Sequence, residues 1–442
     1  MMILGFLVAF IGLTTIFIVD ETEQVVILQF GKPVRNITNP GFNFKVPFPI
    51  QEKIVFDNRL LEYDSPPAEV LSKDKKTLIV VGGYLAAASN TILRRIEGAD
   101  LCVVGNGEIA WVGILNHIRE SNTVWSNSGC NLTDIGDGIV NLEWKTKMNS
   151  IGGEVLEGIQ KSIEIAEKNY KGLVIANQGA NFSVGANIAM IFMMAIEQEY
   201  DEIDFAVRAF QNTTGRIRYS SIPVVVATHG LTLGGGCEIA LHADHVQASA
   251  ETYIGLVEMG VGVIPGAGGT KEMAARASNA YFSGDIQLPT IKERYLNIGM
   301  AKVATSAQEA IELDLLLKNR DKVTIGSNNL VTDAKAQAIV LANNGYTKPT
   351  PEKIKVLGKQ ALGMFMVGAH SMYSAGYITE HEKLMSEKLA YTICGGDLSA
   401  PTLVSEQYLL DLERQAFLSL CGERKTLERI EHMLKKGKPL RN

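Results

Sequence analysis

The sequence predicts an α/β fold of repeated strand–strand–helix units with a helical C-terminal region, preceded by an apolar N-terminal helix and a small β fragment. Three observations lead there. Apolar, β-branched runs such as GLVIA (172–176) and PVVVAT (223–228) read as buried strands. Helical patterns follow them, as in GGEVLEGIQKSIEIAEKNY, where Val155, Ile159, Ile163 and Ala166 share one face. Residues 291–442 carry helical periodicity, with Leu409, Leu412, Ala416 and Leu420 recurring along one stripe.

Composition narrows the function classes. The 442 residues are 46% hydrophobic and 20% charged, which describes a globular chain. A formal net charge of −6 argues against general nucleic-acid binding. The five cysteines are scattered and form no C-x-x-C, so neither a disulfide framework nor a zinc site is indicated. His242 and His245 form an H-x-x-H without a third ligand and read as a structural pair.

From the N-terminus, Met2 to Val19 is eighteen residues without a charge. As a helix it would extend ~27 Å against a hydrocarbon core of ~30 Å. It lacks a basic n-region and an A-x-A cleavage site, so residues 2–19 are expected to be a membrane anchor helix. Residues 20–80 read as short strands separated by GKP and NPG turns, with Phe42, Phe44 and Val46 alternating against Asn43 and Lys45. The anchor with EQVVILQFGK, PGFNFKVPF and SKDKKTLIV resembles the start of the HflC/prohibitin/stomatin (SPFH) family, truncated before its long helices.

Residues 81–121 read strand–glycine–helix–strand–helix and are similar to part of the cobalamin-binding domain that precedes some radical SAM enzymes. Neither DxHxxG nor CxxxCxxC is present, so no cobalamin binding is expected. Gly105-Asn106-Gly107-Glu108-Ile109-Ala110 fits G-x-G-x-x-A, but Glu108 would face the pyrophosphate. Residues 122–138, rich in Asn, Ser and Gly, read as a linker, and 139–290 as the catalytic core.

Chemistry concentrates in Leu231–Thr270. Gly234, Gly235 and Gly236 sit at a strand-to-helix junction, where a bound group can approach the backbone and orphan amides favour negative charge. Glu238 follows at once, and Glu258 lies twenty residues on, in the apolar, glycine-rich LVEMGVGVIPG. Two carboxyls beside backbone donors can take one proton, give another and hold an oxyanion. Met190, Met193 and Met194 recur at helical spacing; core packing and acyl-tail lining both fit such a stripe, and core is the default reading. Thr350-Pro351 offers a helix start and Gly395-Gly396 a stop.

GGGCE, the second glutamate leading into GVGVIPGAGGT, and the upstream Asn181–Ile188 loop together resemble the crotonase (enoyl-CoA hydratase) family over residues 134–442. The C-terminal part is similar to the hydratase half of bifunctional 3-hydroxyacyl-CoA dehydrogenase/enoyl-CoA hydratase proteins of β-oxidation. The resemblance implies a spiral of ββα units and hydration of trans-2-enoyl-CoA. The N–H groups of Ala186 and Gly235 would form the oxyanion hole; Glu238 and Glu258 would be the catalytic carboxyls. Phe182, Val184, Gly185, Gly234 and Pro265 would line the substrate site. Asn187 stands where the family more often has aspartate. No metal or redox cofactor is implied, CoA being part of the acyl-CoA thioester substrate, and a homo-oligomer is expected. A double-bond isomerase on the same fold, or a non-catalytic SPFH-type scaffold, are the other readings. The catalytic module would need the cytoplasm, while acidic Asp20, Glu21 and Glu23 after the anchor leave its sidedness open.

Overall fold

The computed structural model describes residues 15–20, 23–29, 32–37, 39–47, 50–57, 69–71, 77–79, 122–325 and 329–442. The chain divides into two compact units, residues 1–116 and 117–442.

In the first unit, β1 (Ile16–Val19) pairs antiparallel with β4 (Gly41–Phe44). β2 (Glu23–Gln29) lies between β3 (Lys32–Ile37) and β5 (Gln51–Asp57), and β6 (Glu69–Leu71) pairs with β7 (Thr77–Ile79). Phe17, Val19, Val25, Ile27 and Ile37 form its core. The small β fragment is therefore present. The anchor helix over 2–19 is not: its last four residues, Ile-Phe-Ile-Val, are the strand β1. β-branched residues fit a pleated ladder better than a helix, and Ile18 pairs directly with Phe42. Among the described residues, no helix is long and apolar enough to cross a membrane. Membrane attachment through residues 2–19, and the localisation built on it, are overturned; the rest of that expectation lies outside the described residues. The alternation in β4 is present, with Phe42 and Phe44 on the exposed face and Asn43 half-buried. The α/β stretch expected at 81–121 lies outside the described residues.

The second unit is built on a seven-stranded sheet in the order β14-β13-β12-β11-β10-β9-β8. The strands are β8 (Thr123–Ser126), β9 (Cys130–Asp134), β10 (Ile139–Trp144), β11 (Gly172–Ala176), β12 (Val224–Leu233), β13 (His245–Gly255) and β14 (Lys322–Thr324). From β10 to β14 the pairings are parallel; β8–β9 and β9–β10 are antiparallel. The stretch read as a linker thus supplies two strands, with Cys130 and Leu132 alternating inward. The sheet likewise runs beyond the 139–290 core at both ends.

β11 is buried at every position because both faces are covered. Leu173 and Ile175 face the main core, whereas Val174 and Ala176 face a second layer made with Leu330, Ala334 and Ala338. Those three lie on a later helix. In chain order the helices are α1 (Gly153–Asn169), α2 (Ile188–Ile196), α3 (Tyr200–Arg218), α4 (Gly235–His242), α5 (Gly269–Asn279), α6 (Leu288–Gly299), α7 (Ala307–Glu312) and α8 (Leu330–Asn343). After a short ribbon of β15 (Ile354–Val356) and β16 (Thr402–Val404) come α9 (Gly358–Ser374) and α10 (Glu380–Ile393), then α11 (Glu406–Cys421) and α12 (Arg424–Lys436).

The expected face of α1 is buried, and Gly395 and Gly396, both at positive φ, follow the end of α10 as expected. Thr350-Pro351 starts no helix; β15 follows it, and α10 opens instead on a capping box at Thr379 and Glu382. Met190 and Met193 are exposed on α2, and of the methionine stripe only Met194 packs against the core.

Candidate active site

Beyond the register shift at Thr228/Gly230, β12 and β13 continue as a projecting ribbon, pairing Gly230–Leu233 with Thr252–Gly255. The 181–187 loop docks along it: Phe182 N donates to His229 O, Ser183 N to Leu231 O, and Leu233 N to Ser183 O. A second bridge clamps the loop from outside, as Ile151 N donates to Gly185 O and Asn187 N to Ile151 O. In that parallel pattern the flanking residues make the bonds, and the Ala186 N–H is left facing away.

Docking brings the loop against the start of α4. A methyl placed on Gly185 (φ 99°) would stand 2.9 Å from Leu233 O and 3.3 Å from Gly235 N. One placed on Gly235 would lie 3.4 Å from Ala186 N and 2.7 Å from the Phe210 ring. Only glycine permits this approach. Gly234 (φ 53°, ψ −123°) turns the chain into α4, and no side chain caps the helix. Gly235 N, in the first turn, is an orphan donor of the kind every helix start exposes. The Ala186 and Gly235 amide nitrogens are thus brought near one another from two loops.

Both glutamates are at this locus. Glu238 is buried in the first turn of α4, and its Oε1 accepts from Ala267 N and Gly269 N, each 2.8 Å away. Glu258 opens a 3-10 turn (Glu258–Val261). A methyl on Gly234 would lie 3.2 Å from its Oε1, which fixes the carboxyl beside the glycine turn. Both its carboxyl oxygens are buried without a hydrogen-bond partner among the described residues.

Burial pushes the Glu258 carboxyl up to about 8, against its own and the Val257 backbone amides, with the negative Glu413 adding to the shift. Burial also raises Glu238, and repulsion from Glu258 and Glu413 adds to it, against the Gly269 and Ala267 amides that favour its anion. The Ala267 and Gly269 amides at 2.8 Å favour the anion on Glu238, whereas the Glu258 oxygens make no hydrogen bond of normal geometry among the described residues, which favours the proton there.

The remaining expected residues are placed as follows. Phe182 is fully buried against Trp144 (ring centroids 5.2 Å apart), so its side chain belongs to the core while its backbone anchors the loop. Val184 is half-buried; Gly185, Gly234 and Pro265 are buried. A methyl on Gly269 would lie 2.9 Å from both Pro265 Cβ and Glu238 Oε1, which places the proline beside that carboxyl. His242 Nδ1 donates to Glu238 O (2.7 Å) and its Nε2 accepts from the buried Lys271 ammonium (2.9 Å). Burial and Lys271 hold this imidazole well below its ordinary range, hence neutral. His245 instead contacts Gln247 Oε1 at 3.1 Å. The two histidines do not act together, and among the described residues no group of three acidic, His or Cys side chains could hold a metal ion.

The C-terminal helices supply parts of the site that sequence reasoning missed. Glu413, fully buried on α11, accepts from Gly268 N (2.6 Å) and Lys271 N (3.0 Å). On α12, Thr426 Oγ1 donates to Gly262 O (2.8 Å) and Arg429 Nη1 to Met259 O (3.2 Å), clamping the Glu258 turn. One signal was readable: Glu413 sits at helical spacing from Leu409, Ala416 and Leu420, an acidic residue within an apolar stripe.

Two stretches of the chain match known families. Residues 136–281 match the family described as enoyl-CoA hydratase/isomerase, and residues 17–86 match the SPFH domain/Band 7 family. Nothing in these comparisons supports a cobalamin-binding domain. The chain is 47% identical over 329 residues to a Bacillus subtilis protein named as a probable 3-hydroxyacyl-CoA dehydrogenase, covering 74% of this chain and 41% of that one. It is 28% identical over 318 residues to a Rickettsia prowazekii protein named for a fatty acid oxidation complex trifunctional enzyme, covering 71% and 40%. The chain thus spans about two-fifths of the length of these relatives. Among solved structures, it is similar to an enoyl-CoA hydratase from Bacillus anthracis, with 22% identity and a TM-score of 0.42, over 71% of this chain and 99% of that one. The second unit has a crotonase-like α/β fold with C-terminal helices, and its enoyl-CoA hydratase/isomerase match supports a reaction of that type.

Proposed function

We propose that the chain hydrates a trans-2-enoyl-CoA to a 3-hydroxyacyl-CoA. The observation that carries this reading is the Glu258 carboxyl, buried without a partner beside Gly234 and raised to about 8. An acid that must give a proton near neutral pH needs such a setting. The Ala186 and Gly235 amides hold the thioester oxygen and strengthen their grip as it gains charge. Glu238, as carboxylate, removes a proton from water while the water oxygen bonds to the β-carbon. The double-bond electrons move to the thioester as an enolate, which takes the Glu258 proton at the α-carbon. Proton exchange through solvent then returns Glu238 to its anion and Glu258 to its acid. A positioned acid or base contributes ~10²–10⁴-fold, and each oxyanion donor ~10²–10³-fold.

A double-bond isomerase needs one group to carry one proton between carbons; two buried carboxyls of opposite protonation favour hydration. The test is the loss of enoyl-thioester absorbance when the purified chain meets crotonyl-CoA and a long-chain enoyl-CoA. Turnover of either supports the reading. No turnover of both overturns it.

A further inference from the structure

Helix α5 begins beside the site but cannot cap itself. Its N-cap is Gly268 (φ 98°), which has no side chain to offer the first-turn amides. Carboxyls from two distant places do that work, and they divide the donors in alternation. Ala267 N and Gly269 N donate to Glu238; Gly268 N and Lys271 N donate to Glu413. The same short loop is therefore held between two glutamates. We infer that Glu413 is a positioning residue, its carboxylate holding the 267–271 loop so that the Ala267 and Gly269 amides meet the Glu238 carboxyl. The inference rests on the reading of Glu238 as the base.

Capping accounts for part of this arrangement, because a side chain at position 268 is barred by φ 98° and by the His242 ring 3.0 Å from a Cβ there. Here a carboxyl lies fully buried and is pushed up to about 7, despite its amide donors and the attraction of Lys271. Its charge also acts on the chemistry, since it raises both Glu238 and Glu258. The groups facing it are Lys271 on α5, Glu238 on α4 and Glu258 on the 3-10 turn. Lys271 is in turn held by His242, by Glu272 and by Glu406 on α11.

The test uses the full chain with two substitutions. Glu413→Gln keeps shape and one acceptor but removes the charge. We expect kcat to fall about tenfold with KM within about twofold, since the loss is felt in the transition state. Both limbs of the kcat/KM pH profile should move to lower pH, by about half a unit or more, because a negative neighbour has been removed. Glu413→Asp keeps the charge with a shorter reach: kcat should fall while the limbs stay at their wild-type pH. A purely structural role would lower activity without moving the limbs in Glu413→Gln, and that result overturns the inference. If Glu413→Gln does not fold, Glu413→Asp carries the test, and wild-type kcat there overturns it.

Infrared difference titration of the buried carboxyls needs no substrate and separates this inference from the proposed function. Their titration should move down in Glu413→Gln. If the wild type fails to hydrate enoyl-CoA yet the titration moves, the hydratase reading falls and the coupling of Glu413 to the site stands. An unmoved titration overturns the inference, whatever the activity.

Discussion

Two helix starts lie within this site, at α4 and at α5, and they are used in opposite ways. Both follow glycine-rich turns, GGG before CEIALH and GAGG before TKEMAAR. At α4 no side chain caps the first turn, and the Gly235 and Ala186 amide nitrogens lie near one another across a gap that only glycine allows. At α5 the amides of residues 267, 268, 269 and 271 are all taken by the Glu238 and Glu413 carboxyls. An unconsumed helix start can receive a developing oxyanion; a consumed one fixes the group that acts on it. A glycine run before a helix is thus not a site in itself. What decides is whether the fold has already spent the amides.

The largest effect expected from breaking this contrast is at Glu238. Glu238→Gln should lower kcat by ~10²–10⁴-fold with little change in KM, measured on crotonyl-CoA. Near-wild-type turnover would mean that the two amides at α5 hold a structural carboxyl rather than a base. Next is stability at the consumed helix start. Glu413→Ala leaves the Gly268 and Lys271 amides without partners and should cost about 2–4 kcal/mol in chemical denaturation of the full chain. Loss of less than about 1 kcal/mol would show that water replaces the carboxylate.

Gly234→Ala acts on the open helix start and should be milder. It forces a side chain into φ 53° and places a methyl 3.2 Å from Glu258 Oε1. Strain of about 1–2 kcal/mol and a fall in kcat of about tenfold are expected. The smallest effect is at the first unit. All the site residues lie in residues 117–442, so that fragment alone should retain the turnover of the full chain. Loss of activity on removing residues 1–116 would make the β fragment part of the enzyme.

Much of the open helix start was legible in the sequence, because its parts are local. A strand ends, three glycines follow, and Glu238 lies within the next turn. The 181–187 loop is legible only through the family resemblance that Asn181–Ile188 carries. The consumed helix start was not legible, because Glu413 arrives from 145 residues beyond Gly268, on a helix whose stripe otherwise reads as plain core. Short strands were the other failure. Cys130-Asn131-Leu132-Thr133-Asp134 alternates correctly, but its polar half resembled a linker until the pairing with β10 was seen. At Ile16–Val19 hydrophobicity was read as a helix, whereas β-branched composition and pairing with Gly41–Phe44 make it a strand. Met190 and Met193 show the limit of periodicity, which gives a face but not what covers it.

Glu258 offers the most direct test, since its two readings differ in sign as well as size. Its ordinary value is 4.5 and its folded value is raised to about 8. The unfolded chain therefore releases this proton from about pH 4.5 upward while the folded chain keeps it to about pH 8. The group's relative stabilisation is complete below 4.5, and stability is lost as pH rises through that window. Glu258→Gln removes this loss. At pH 8 the variant should be more stable than wild type by roughly 1–3 kcal/mol. Its kcat on crotonyl-CoA should nevertheless fall by ~10²-fold or more. Denaturation and turnover measured on the same Glu258→Gln preparation would decide the matter. A variant that is inactive and more stable is what an orphaned catalytic acid requires. One that keeps wild-type turnover, or is destabilised at pH 8, would contradict the account.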